Sequence, residues 1–184
     1  DRVVDLIGDN VDCVLRGGEI NDQSLIARHV GDLHIGVYVA PSYVERLGAP
    51  AHPRELENTD HRIVGFLSSR TGKIDPLVLR SESEHIDITG SYVLAVDDGN
   101  AYLEAGLAGL GVIALPVYMA EAHQACGSLI RLFEHWRIKP MPLYLAFPPN
   151  RHVNARLRVF IDWIVQLMQQ HVPNSNNKSL PPRP

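Results

Sequence analysis

Val96-Asp97-Asp98-Gly99-Asn100, running through a helical stretch to Leu107-Ala108-Gly109-Leu110-Gly111-Val112-Ile113-Ala114-Leu115-Pro116, is the segment whose reading decides the fold. An extended run, Ile88 to Asp97, ends at two acids. Asp98 and Asn100 are residue types that cap a helix by accepting its first free N–H groups. Asn100 to Leu110 then reads as a helix with a small-residue face (Ala101, Ala105, Ala108), closed by Gly109 and Gly111. Val112-Ile113-Ala114-Leu115 is an apolar strand that Pro116 stops. Strand, capped helix and buried strand in direct succession are the signature of helices packed on a sheet, an α/β fold.

The same alternation extends in both directions. Toward the N-terminus, Val11 to Arg16 is a short β-rich run ended by Gly17-Gly18, and Ile35 to Ala40 is apolar enough to be buried on both faces. Pro41 to Gly48 has proline at its start and glycine at its end, so it predicts a short helix. Pro53 opens another turn of helix, and Arg62 to Phe66 is a strand. Leu77-Val78-Leu79 and Ile88 to Asp97 predict a hairpin, joined through the charged run Arg80 to Asp87. Toward the C-terminus, Val117 to Ala125 reads as helix, Leu129 to Leu132 as extended and Leu143 to Phe147 as the last strand. Leu157, Phe160, Ile161, Ile164 and Met168 recur at helical spacing and predict one amphipathic helix. From Pro173 the chain turns polar and proline-rich, and residues 173–184 are expected to be disordered.

Composition narrows the function classes. The 184 residues are 45% hydrophobic and 21% charged, enough to bury a core, and the formal net charge is −4. That charge opposes gripping nucleic acid, which needs a basic face. No run is long enough to span a membrane, and Asp1 to Leu6 is not a signal peptide. Two cysteines, Cys13 and Cys126, make no metal knuckle or disulfide framework. The chain reads as cytoplasmic. Cys13 alternates with Val11 and Leu15 and belongs to a core, and Cys126, before Gly127, is structural too.

Five segments, in order, resemble the regulatory domain of LysR-type transcription factors. They are Val11 to Gly18 with Ser24-Leu25-Ile26-Ala27-Arg28; Val39 to Val44 with Gly48-Ala49-Pro50 and His52 to Leu56; Ser68 to Lys73; Val96 to Pro116; and Arg156 to Trp163. The resemblance covers the chain to about Gln170. It implies a two-lobed fold of the type II periplasmic-binding-protein kind, with an effector cleft between lobes and the second lobe inserted into the first. On that basis residues 1–64 with 142–172 form the first lobe, incomplete at its N-terminus, and residues 65–141 the second. The resemblance also implies side-by-side homodimers with higher oligomers in the full-length protein, and DNA binding only through a winged helix-turn-helix absent here.

The expected effector residues follow from strand ends, where α/β sheets hold their ligands. Arg16, Gly17 and Gly18 close one strand: the glycines let backbone N–H groups approach a ligand, and Arg16 can pair with a carboxylate or simply sit on the surface. Phe66, Leu67, Ser68 and Ser69 put two hydroxyls beside an aromatic, a cleft wall or a solvent loop. Asp98, Gly99 and Asn100 cap a helix, with ligand binding an optional addition that two aspartates make harder for an anion. Pro116 ends the last apolar strand of the deciding segment. The cluster Glu82-Ser83-Glu84-His85 with Asp87 suggests a metal, but a charged turn in solvent explains it better. No nucleophile elbow, His-Glu-x-x-His or phosphate loop occurs, and Gly109-Leu110-Gly111 lacks the remaining features of a dinucleotide site. Sequence therefore favours a sensor without catalysis, metal or cofactor. Its partners would be a small effector, an acid being the favoured class, and its own copies, with no membrane. The alternatives are a secreted type II solute-binding protein and an enzyme on a related two-lobed fold.

Overall fold

The computed structural model describes residues 11–20, 22, 24–57, 60–68, 71–149 and 155–171, apart from the side chains of residues 156 and 169–171. The expected disordered tail, 173–184, and Ser69 lie outside the described residues. The chain divides into two compact units. One is continuous, His34 to Pro140; the other combines the segment ending at Leu33 with that beginning at Met141.

In the continuous unit, β3 (Ile35–Val39) lies between β8 (Ile113–Pro116) and β9 (Ile130–Leu132), antiparallel to both. β4 (Ile63–Phe66) and β7 (Tyr92–Val96) form a parallel pair. A parallel bridge between Ile63 and Val112 joins the two groups, with the Val64 N–H donating to the Val112 carbonyl at 3.0 Å. The strand sequence read across is therefore β7-β4-β8-β3-β9.

Successive residues on these strands serve opposite faces, as the pleat requires. Val37 and Val39 enter a cluster with Tyr43, Leu56, Leu79 and Ile88, beneath α1 (Pro41–Leu47), the 3-10 turn Pro53–Glu57 and the hairpin β5 (Leu77–Arg80) and β6 (His85–Ile88). Tyr38, Val64 and Ile113 enter the other cluster, with Tyr102 and Ala105 of α2 (Gly99–Leu107) and Ala120 of α3 (Val117–Ala125). Burial on both faces explains the unbroken apolar runs in the sequence.

In the second unit, β10 (Met141–Phe147) lies between β1 (Val14–Gly17) and β2 (Ile26–Leu33), antiparallel to both. One face is covered by α4 (Ala155–His171), whose Leu157, Ile161 and Ile164 pack with Leu143, Leu145 and Phe147. Cys13 is half-buried against this cluster.

Several expectations need correction. A lobe boundary at residues 64 and 65 would cut through β4, which is held by β7 on one side and Val112 on the other; the first division falls instead between Leu33 and His34. The second falls between Pro140 and Met141. The hairpin partner of Leu77–Arg80 is not the Ile88–Asp97 run but β6, which lies inside the charged stretch; Leu77 stands opposite Ile88. The remainder becomes β7, parallel to β4. On α2, Tyr102, Ala105 and Gly106 are buried, while Ala101 and Ala108 are exposed. Phe160 points away from the α4 core and lies 5.9 Å from the Trp163 ring. Cys126 is exposed, at the end of α3.

Candidate functional site

β4, β7 and β8 run in the same direction, so their carboxyl ends lie at one edge of the sheet. Three of the four predicted segments are found there: Phe66-Leu67-Ser68 after β4, Asp98-Gly99-Asn100 after β7, and Pro116 closing β8.

The β4 end is built by backbone bonds. The Leu67 N–H donates to the Val96 carbonyl at 2.7 Å, tying the β4 and β7 exits together. The Ser68 N–H donates to the Lys73 carbonyl at 2.9 Å, and the Ser68 carbonyl accepts from Gly72 at 2.8 Å. Gly72 has φ 65°, the left-handed conformation such a tight loop needs. Ser68 is half-buried, and Phe66 meets Tyr102 edge to face at 5.4 Å.

The β7 end is a helix cap. The Asp98 carboxylate accepts from the backbone N–H groups of Asn100 and Ala101, both at 3.0 Å. The Ala101 bond first, then Asn100, holds this carboxyl below the usual aspartate range. The first N–H groups of α2 are thus already engaged by an anion from the chain itself, and a ligand carboxylate would meet like charge there. α3 begins differently: Pro116 precedes it with no side-chain cap, and the Val117 N–H donates to the His34 carbonyl at 2.8 Å.

Arg16, Gly17 and Gly18 lie in the other unit, at the end of β1. Gly18 takes φ 85°, and its N–H donates to the Pro142 carbonyl at 2.8 Å, so that donor is spent on the β1–β10 pair. A Cβ at Gly17 would approach the Met141 methyl to 2.9 Å, so the glycine serves packing. Arg16 is half-buried opposite Tyr144, and its charge contributes, after two Ser24 hydrogen bonds, to lowering the Asp22 carboxyl pKa.

Tyr102 is the site-shaping residue that the sequence reading missed. Its hydroxyl accepts from the Ala114 N–H at 3.0 Å, and burial pushes its pKa up to about 12. It thereby links α2 to β8 while bracing Phe66. A tyrosine among alanines on a helix carries no signal of that role.

The acidic cluster is solvated hairpin surface. His85 and Asp87 pair at 2.9 Å, both exposed, and Glu84 meets Arg54 at 3.5 Å. Among the described residues no group of three or more His, Cys, Asp or Glu side chains is arranged to hold a metal ion. No helix of the described residues is long and apolar enough to cross a membrane.

Two α/β units, one inserted into the other, with candidate ligand residues at strand ends, define a two-lobed binding domain of the periplasmic-binding-protein type. Residues 1–169 match the LysR substrate binding domain, and the chain belongs to that family. It is 32% identical over 174 residues to the HTH-type transcriptional regulator YhjC of Escherichia coli K12, covering 94% of this chain and 57% of that protein. It is 30% identical to the HTH-type transcriptional regulator CrgA of Neisseria meningitidis, covering 89% of this chain and 53% of that protein. The chain thus spans about half the length of these relatives. The solved CrgA regulatory domain superposes with TM-score 0.72 at 27% identity, over 88% of this chain and 78% of that one. The regulatory domain of AphB from Vibrio vulnificus gives 0.67 at 25%, over 86% and 76%. The chain is an effector-binding domain of the LysR type; a solute-binding protein or an enzyme on a related fold is not what its relatives are.

Proposed function

We propose that this domain senses a small effector at the carboxyl ends of β4, β7 and β8, and that a helix-turn-helix region elsewhere in the full-length regulator carries its response to DNA. The supporting observation is convergence: residues 66–68, 98–100 and 116, far apart in sequence, meet at one sheet edge. Phe66 offers an apolar wall, and Ser68 a hydroxyl at a half-buried position. Asp98 disfavours an acidic group beside α2, so the acid end of an effector belongs near the Ser68–Lys73 loop.

The test uses the full-length regulator. A panel of small mono- and dicarboxylic acids is screened by thermal shift, and any acid that stabilises the protein is titrated by calorimetry. Ser68→Ala is expected to weaken that acid roughly fivefold to tenfold, the worth of one hydrogen bond. Unchanged affinity would move the site away from this loop.

Self-association is proposed at β7 and α2. β7 is an edge strand among the described residues, and it exposes Val93 (49%) and Leu94 (40%). Sedimentation of wild type and Val93→Glu should show a dimer that the charge weakens; an equally monomeric pair would refute it.

A further inference from the structure

We draw no further inference here: the strongest candidate, the apolar surface patch of Val159, Phe160 and Trp163 on the exposed side of α4, carries none because nothing in the structure shows what covers it.

Discussion

Two residues carry forces that can be read separately. Asp98 has its pKa depressed by the N–H bonds it accepts, so its contribution is complete above the ordinary aspartate pKa and is lost as pH falls through the lower folded value. Asp98→Ala should lower Tm by about 2–4 °C at neutral pH, and the difference from wild type should shrink as acid titrates the cap, followed by circular dichroism. Tyr102 has the opposite sign. Its phenol ionises at about 12 when folded, above its ordinary value, so stability is full below pH 10 and falls across the window from there to about 12. Tyr102→Phe leaves the Ala114 N–H without its acceptor and should cost about 1–3 kcal/mol in urea unfolding at pH 7.

Among the elements, the instructive ones are those that the sequence pattern disguised. β6 reads His-Ile-Asp-Ile, with Ile86 and Ile88 buried and His85 and Asp87 exposed, a strict period of two that was present in the sequence. The neighbouring charges made it look like a turn. β2 offered less: Val30 is its buried residue, while Ile26 to His29 are exposed at the sheet edge, with Arg28 reaching Asp162 of α4 at 3.8 Å. α3 and β3 were plain, since their apolar runs and proline punctuation leave few readings. The candidate residues could be read as strand ends and a cap, but which ends share an edge depends on β4 pairing in parallel with β7, and pairing is non-local. The break between β6 and β7 rests on Gly90, where a Cβ would overlap the Leu56 carbonyl oxygen. That oxygen is backbone and cannot swing aside, so Gly90→Ala should cost about 1–3 kcal/mol by chemical denaturation. A neutral substitution would mean that the 3-10 turn is held more loosely than its contacts with β6 indicate.

For the whole molecule, charge and family membership make different statements. The chain has a formal net charge of −4, with no basic stripe in its sequence, while its relatives are helix-turn-helix regulators of about twice its length. The 184-residue chain should therefore show no sequence-dependent binding of duplex DNA at physiological salt by fluorescence anisotropy. Sub-micromolar, sequence-selective binding would place a DNA-reading surface within this domain.

The middle strand of the β1-β10-β2 sheet is the last of the three to leave the ribosome. β1 and β2 emerge early, but they pair with β10 and not with each other, so they wait through the synthesis of His34 to Pro140. The continuous unit has all its strands before that and can condense first, closing the long loop that brings Met141 back beside Leu33. A nascent chain stalled at Pro140 would hold one finished unit and two orphaned strands, a form that chaperones and proteases should recognise.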